Sequence, residues 1–327
     1  IKPINRTSVL NSLNILKLKD STLSIVEKKE LNFYLQEYTR PLIEQISLFK
    51  KDQNKRWRAG AIIANDFEFY IDPILGINNF SGTNKNIRQL SNGFELWGTA
   101  GKNKKLGYQV YYRDYTETGT VNNNFREESA TPGNILIGAK TDNKINYTDI
   151  RANINYSFRK GNISLGKDNL IWGYGENSNI VLSNKAPSYP YIRLDYKPLK
   201  WLNFNYTHAW LNSNIADSSL SYFTNTGRIG NDFRLVFVQK YLATHSIEIE
   251  AMKGLNIAIG ESIVYSDKMD PGFLIPINLF KFYDNNRSNY LIEAGSNGQY
   301  FFSVSSRNQI KNMHLYSTLF IDEIKVS

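Results

Sequence analysis

The feature that most constrains this chain is a strict alternation of polar and apolar residues. In "DIRANINYSF", Ile150, Ile154 and Tyr156 fall on one side of an extended chain, whereas Asp149 and Arg151 fall on the other. A period of two places successive side chains on opposite faces of a β-strand, and an amphipathic helix would need a period of about 3.6. The same alternation recurs in "YQVYYR" from residue 108 and in "LNFNYTHAW" from residue 202. The sequence therefore predicts long strands with one apolar and one polar face.

The predicted connections between these strands are of two kinds. Short basic turns are expected at 101–105, 159–161, 197–200 and 252–254, and they alternate with long polar segments at 78–90, 118–147, 173–188 and 212–232. Bacterial outer-membrane barrels have short periplasmic turns, longer extracellular loops and aromatic residues at both membrane interfaces. We therefore predict a mainly β fold, a transmembrane antiparallel up-and-down β-barrel, in the bacterial outer membrane. A soluble β-sandwich or propeller is the alternative fold.

The composition is compatible with that prediction. The chain has 327 residues, a formal net charge of +9 and no cysteine. The lack of cysteine excludes disulfides and thiolate metal sites, and it fits an exported bacterial protein. The mean hydropathy of -0.42 would ordinarily indicate a soluble protein. In a transmembrane barrel, however, the apolar and polar faces of each strand average out.

The first fifty residues follow a helical pattern instead. Ser24 and Glu27 form a capping-box motif at the start of a predicted helix that Pro41 should end, and a shorter helix is expected over 8–17. We predict a periplasmic helical element at 1–52 and the barrel at 53–327. No signal peptide precedes the helices, so the numbering is expected to begin at or after the mature N-terminus. Because "FIDEIKVS" has no terminal aromatic residue, either the barrel continues beyond Ser327 or the barrel prediction fails.

No motif for catalysis or for metal binding stands out. The three histidines lack metal-ligand spacing, and no nucleophile elbow, phosphate-binding loop or dinucleotide motif is present. His208 lies on an aromatic strand face and is predicted to be packed or interfacial. Four carboxylates are candidates for a glycosidase pair, although charged lumen residues explain them more simply: Glu95, Glu248, Glu250 and Glu261. The sequence predicts a non-enzymatic protein without a metal or cofactor.

The segment 165–187, "LGKDNLIWGYGENSNIVLSNKAP", interrupts the alternation. It resembles a central block of the Wzi family of capsule-assembly outer-membrane barrels, in which a G-[RK]-D strand precedes a W-G-x-G turn, L-S-N and an alanine-proline step. The matching residues are Gly166, Lys167, Asp168, Trp172, Gly173, Gly175, Leu182, Ser183, Asn184, Ala186 and Pro187. "KPINRTSV" and "LNFYLQEY" near the N-terminus resemble the helical opening of members from Bacteroidota.

This resemblance implies a barrel with a small periplasmic helical bundle that binds, anchors or organises exported capsular polysaccharide or exopolysaccharide. Expected partners are outer-membrane lipid, lipopolysaccharide, the surface polysaccharide and other envelope proteins, but not nucleic acid. Aromatic rings and amide side chains suit sugar rings and hydroxyl groups. The candidate glycan-binding residues are Trp172, Tyr174, Asn177, Asn179, Asn184 and Tyr189. The candidate structural residues are Gly166, Asp168, Gly173, Gly175, Ser183 and Pro187.

Two further interpretations stay open at this point. The glycine-aromatic segment is alternatively a structural bend, in which Trp172 fills the lumen or anchors a loop. The alternative function is a porin or an accessory barrel of a transport or secretion machine. The apolar cluster at 273–276 does not alternate, and we expect the segment 271–286 to be an inward-folded loop or a short helix that plugs the pore.

Overall fold

A computed structural model describes residues 6–39, 44–53, 55–83, 85–120, 135–136, 143–183, 186–224, 232–288 and 296–322. The fold is mainly β, and every pairing with an assigned register is antiparallel. The predicted mainly β, up-and-down antiparallel architecture is therefore confirmed. The chain forms two compact units, Ile1–Ser157 with Asp168–Ile171 and Asn184–Ser188, and Phe158–Lys167 with Trp172–Ser183 and Tyr189–Ser327.

The first unit contains two helices followed by an up-and-down sheet. Its elements are α1 (Arg6–Lys17), α2 (Ile25–Tyr38), β1 (Gln45–Lys51), β2 (Trp57–Ala64), β3 (Phe67–Gly82), β4 (Lys85–Ala100), β5 (Leu106–Gly119), β6 (Ile135–Leu136) and β7 (Lys144–Phe158). Each strand from β1 to β5 pairs with its neighbour in sequence, β5 pairs with β7, and the short β6 also pairs with β7. This order is that of successive hairpins.

The second unit also consists mainly of antiparallel strands that pair in hairpins. Its elements are β8 (Gly161–Asp168), β9 (Tyr189–Leu199), β10 (Leu202–Ala216), β11 (Tyr222–Thr224), β12 (Asp232–Arg234), β13 (Phe237–Met252), β14 (Leu255–Ser266), α3 (Phe280–Ser288), β15 (Asn297–Arg307) and β16 (His314–Asp322). The sheet order is β8, β9, β10, β13, β14, β15, β16, while β11 and β12 form a separate hairpin. Asp168, the last residue of β8, is assigned to the first unit.

The predicted capping box is confirmed. The Ser24 hydroxyl accepts a hydrogen bond from the Glu27 amide at 3.3 Å, and the Glu27 carboxylate accepts one from the Ser24 amide at 2.7 Å. These two contacts satisfy backbone donors that the start of α2 leaves without helical partners. The helix ends at Tyr38, and Pro41 lies outside the described residues. The helical part is therefore shorter than the predicted element 1–52, because β1 begins at Gln45.

A buried arginine attaches α2 to the strands of the first unit. The Arg58 side chain on β2 is 6% exposed and forms ion pairs with Glu37 of α2 at 3.0 Å, Asp52 at 3.1 Å and Asp72 of β3 at 2.6 Å. Its guanidinium also lies 5.4 Å from the centre of the Trp97 ring. A buried charge needs such pairing to offset the loss of hydration. The ion pairs fix the helix against the sheet.

One predicted loop is wrong. The polar segment 78–90 is not a long excursion but the paired ends of β3 and β4, which face each other from Asn78↔Gln89 to Gly82↔Lys85. The side chains explain the pairing, because Asn78 donates a hydrogen bond to Gln89 at 2.8 Å across the two strands. The other three predicted long connections, 118–147, 173–188 and 212–232, begin near the ends of β5, β8 and β10.

The segment that breaks the alternation after β14 is folded onto the sheet of the second unit. It consists of a short 3₁₀ helix, Pro271–Leu274, and of α3. Phe273 and Phe280 are fully buried, and they pack with Tyr206, Tyr241 and Tyr265. This confirms the expected short helix. The helix packs on the aromatic face of the strands, however, and not on their polar face, which corrects the expectation that it folds inward.

One carboxylate holds the start of this helix. Glu261 on β14 accepts hydrogen bonds from the backbone amides of Phe280 at 3.1 Å and Lys281 at 2.5 Å. A carboxylate at this position pairs with the positive end of the helix dipole. His245 lies beside it, with 3.6 Å between its Nε2 and the carboxylate.

Candidate functional site

The central segment that follows β8 is a closed loop over 172–182. The backbone amide of Trp172 donates to the carbonyl of Leu182 at 2.9 Å, so the two ends form an isolated antiparallel bridge. Inside the loop, the Asn179 side chain accepts a hydrogen bond from the Gly175 amide at 2.9 Å and donates one to its carbonyl at 3.2 Å. Gly173 has a φ of 136°, a value that favours glycine, and a Cβ there would collide with Asn179. The two glycines and Asn179 therefore set the shape of the loop.

The loop packs on the polar face of the second unit through its two aromatic residues. The Trp172 ring is 4% exposed and meets the Phe301 ring of β15 edge to face, with 6.0 Å between centroids. The Tyr174 hydroxyl donates to the Glu248 carboxylate of β13 at 2.8 Å. Burial, reinforced by the Glu248 charge, raises the pKa of Tyr174 well above its usual value. The phenol therefore stays protonated at neutral pH.

A carboxylate, an imidazole and a hydroxyl join the tip of the loop to β15 and β16. Glu176 lies 2.7 Å from Nδ1 of His314, and Nε2 of His314 lies 2.9 Å from the Ser305 hydroxyl. With a proton on Nδ1, the imidazole donates to the carboxylate and Nε2 accepts from the hydroxyl. The Arg307 guanidinium also lies 3.2 Å from Nδ1. Arg307 also contacts Glu176, with 3.5 Å between the charged groups. These contacts hold the loop against β15 and β16. The sequence of groups, carboxylate to imidazole to hydroxyl, is also that of a serine hydrolase triad.

The structure places the predicted glycan-binding residues in different environments. Trp172, Tyr174 and Asn179 lie together in the loop, and their side chains are engaged with other parts of the second unit or with the loop itself. Asn177 is exposed at the loop tip, and Tyr189, the first residue of β9, is 9% exposed. Asn184 lies outside the described residues. Glycan binding by this set stays a prediction.

The predicted structural residues are distributed along the same stretch. Gly166 lies within β8, Ser183 is half-buried after the loop, and Pro187 is exposed before β9. Asp168 accepts a hydrogen bond from the backbone amide of Asn169 at 2.7 Å. Its carboxylate lies 3.8 Å from the Arg151 guanidinium, so it also lines a cavity in the first unit.

That cavity has a volume of about 150 Å³ and an entirely polar or aromatic lining. The lining residues are Glu95, Gln109, Tyr111, Arg151, Asn153 and Asp168. Sequence reasoning named Glu95 and Asp168 for other reasons and missed the remaining four residues. The sequence did indicate these residues as the polar side of the alternating strands, because every lining residue except Asp168 lies on one face of β4, β5 and β7. Finding the cavity also required the strand register.

The other candidate catalytic residues have structural contacts. His208 is fully buried and hydrogen-bonds to the Tyr265 hydroxyl at 2.7 Å, which confirms that it is packed. Glu248 is bound to Tyr174, and Glu261 caps α3, whereas Glu250 is exposed. Within the described part of the chain, no three acidic or histidine side chains are arranged to hold a metal ion.

The comparisons with known proteins do not identify a family. No family model matches the chain, and a search of curated proteins finds no match. Among the described helices, none combines the length and the apolar character that crossing a membrane requires.

Proposed function

We propose that this chain is an outer-membrane β-barrel of the Wzi-like type that binds, anchors or organises exported capsular polysaccharide or exopolysaccharide. The observation that carries the proposal is an inverted distribution of polarity in both sheets. Many polar side chains occupy the covered face of the strands, beside small buried clusters that include Tyr70 and Tyr147. Many large apolar side chains occupy the opposite face, which is exposed except where the segment 271–288 packs on it in the second unit. A water-soluble protein places these residues the other way round.

In the second unit the polar face is almost completely covered. Seven of its polar residues are each 5% exposed or less: Asn205, Thr207, Thr244, Ser246, Ser262, Ser303 and Ser305. On the opposite face, apolar residues are 36% to 59% exposed: Ile192, Ile247, Ile259, Phe302, Leu319 and Ile321. An exposed apolar surface that extends across neighbouring strands marks contact with a partner or a membrane. Lipid is the partner that a continuous band of this kind fits.

The first unit repeats the pattern. Leu90, Phe94, Ile150, Ile154 and Tyr156 are 38% to 53% exposed on one face of β4 and β7. The opposite face carries the polar cavity and the buried Gln89 and Glu117. In the proposed barrel the two polar faces line the lumen, and the short basic turns lie on the periplasmic side with the helices.

The polysaccharide part of the proposal is supported by the central segment. Its sequence resembles the Wzi-family block, and the loop that it forms lies on the polar face, with the exposed Glu176 and Asn177 at its tip. Because the Trp172 ring is buried and cannot stack on a sugar, we propose that the loop is a structural element that narrows the lumen. Sugar contact then falls to polar groups that line the lumen.

The test is the distribution of polysaccharide in the native bacterium. We expect deletion of the gene to move surface polysaccharide from the cells into the medium, and wild-type protein supplied from a plasmid to restore retention. A deletion strain that retains the same cell-bound fraction as its parent refutes the proposed role. An assembled chain that conducts ions freely in planar bilayers would support the porin alternative.

Two contacts favour a second candidate function, ester hydrolysis. The Glu176, His314 and Ser305 distances suit a general base that activates a hydroxyl nucleophile. The assembled protein is treated with a fluorophosphonate probe, which labels activated serines, alongside a Ser305→Ala variant. Labelling that is lost in the variant would show that Ser305 is an activated nucleophile and would support the hydrolase, whereas absence of labelling would mean that the three residues only hold the loop in place.

A further inference from the structure

We propose that the polar cavity of the first unit binds a single neutral sugar residue. This inference deepens the proposed function and rests on it for the biological ligand. Its physical basis is separate, and lies in the arrangement of six side chains over three strands and the end of β8.

The strand register builds the floor of the cavity from two rows. Glu95 of β4, Tyr111 of β5 and Arg151 of β7 stand opposite one another in the first row. In the next row, Gln109 faces Asn153. Directly opposed residues in antiparallel strands project from the same face, so all five point into the same space.

The polar groups of the floor are held in place before any ligand binds. Gln109 donates a hydrogen bond to Glu95 at 2.6 Å and accepts one from Asn153 at 3.4 Å. The Arg151 guanidinium lies 4.0 Å from the centre of the Tyr111 ring. It is also paired with Asp149 at 3.3 Å and with Asp168 at 3.8 Å. Such a preorganised site loses little side-chain entropy on binding.

The donor and acceptor capacity fits sugar hydroxyl groups. A hydroxyl donates and accepts, so vicinal hydroxyls require neighbouring groups of both kinds. The Glu95 carboxylate has about four acceptor positions, and among the described residues Gln109 is its hydrogen-bond donor. Amides of Gln109 and Asn153 and the guanidinium of Arg151 supply the complementary donors.

Size and charge narrow the ligand class. A volume of about 150 Å³ suits one sugar ring and not a longer oligosaccharide. The lining carries two carboxylates, Glu95 and Asp168, against one guanidinium, so its formal charge is negative. A uronic acid would be repelled, and a neutral hexose would not. The formal charge of the cavity lining is thus opposite in sign to the net charge of the whole chain.

The experiment is ligand-observed saturation-transfer NMR on the full chain assembled in detergent micelles. The probes are glucose, galactose and mannose, with glucuronate as the charged comparison, each at about 10 mM. We expect saturation transfer to at least one neutral hexose and none to glucuronate. Asn153→Leu, which keeps the side-chain volume but removes the amide, and Glu95→Gln should each weaken binding by about tenfold or more.

The matched control is Glu250→Gln, which removes an exposed carboxylate in the second unit and should leave binding unchanged. The inference is overturned if no neutral hexose binds to the assembled chain, if both cavity variants bind as tightly as the parent, or if glucuronate binds equally well. The two proposals fail separately. If deletion of the gene sheds polysaccharide but no hexose binds, only the proposal for the cavity is refuted. If a hexose binds but deletion sheds no polysaccharide, only the proposed surface role is refuted.

Discussion

A lysine placed on the exposed apolar face distinguishes a lipid environment from water. Ile154 is 53% exposed, and Ile150, on the same face of β7, is 38% exposed. The two positions are four residues, or about 13 Å, apart along the strand. The apolar band of an outer-membrane barrel is about 25 Å tall, so at least one of these positions lies well inside it.

The expected size of the effect separates the two environments. A lysine on the lipid face costs about 2–4 kcal/mol near the membrane midplane, falling to about 0–1 kcal/mol near the interfaces. At about 1.4 kcal/mol per factor of ten, the larger cost lowers the folding equilibrium constant by roughly 30-fold to 700-fold. A surface substitution in water typically changes stability by no more than about 0.5 kcal/mol.

The assay is urea unfolding of the chain assembled in phosphatidylcholine vesicles, for Ile150→Lys and Ile154→Lys. We expect at least one of them to lose about 2 kcal/mol. Asn155→Lys, one residue further along β7 and on the polar face, is the matched control and should lose less than about 1 kcal/mol. If both isoleucine variants stay within about 0.5 kcal/mol of the parent, the exposed face contacts water and the membrane reasoning is refuted.

Three further predictions follow from individual contacts. Arg58→Met removes the shared partner of three carboxylates, and we expect a loss of about 3–5 kcal/mol in urea unfolding. The control Arg56→Met breaks one ion pair with Glu37 and a cation–π contact with Phe33, and should cost far less. The backbone amide of Ser24, and to a lesser extent its hydroxyl, lower the pKa of Glu27, so this carboxylate stabilises α2 above the ordinary glutamate pKa and loses that effect as the pH falls through the lower folded value. Carboxyl-detected NMR should show the Glu27 pKa rising in Ser24→Pro, which removes the amide donor at a φ of -67° that proline accepts, and an unchanged value would contradict the capping role. Burial and Glu248 raise the pKa of Tyr174, so its stabilising effect is complete below about pH 10 and declines as the pH rises toward the folded value. The difference in urea midpoint between the parent and Tyr174→Phe should therefore shrink from about pH 9 to about pH 12, and a constant difference would exclude this titration.

Local patterns in the sequence predicted the features that depend on neighbours along the chain. The alternation around Asn153 and Ile154 indicated both the strand and its two faces, because a period of two is a property of the extended backbone. The Ser24 and Glu27 motif placed the start of α2, because both hydrogen bonds span three residues. Each of these inferences needs only residues close together in sequence.

Features that depend on distant partners were not predictable in the same way. Asn78 and Gln89 belong to a polar segment that looks like a loop, and only their hydrogen bond across β3 and β4 shows why it is paired. The burial of Trp172 depends on Phe301, which is more than a hundred residues away. The polar cavity depends on the register that brings Glu95, Tyr111 and Arg151 into one row.

The position of Glu261 has a consequence for local unfolding. This residue belongs to β14, yet it supplies the hydrogen-bond acceptors for the first amides of α3. A helix of nine residues is too short to be stable alone in water, so it depends on that carboxylate and on its aromatic packing. We therefore expect the segment after β14 to unfold whenever the pairing of β13 with β14 is lost, since both Glu261 and its aromatic partners belong to those strands and their neighbours. Protection of the α3 amides from hydrogen exchange would then report on the pairing of β13 with β14.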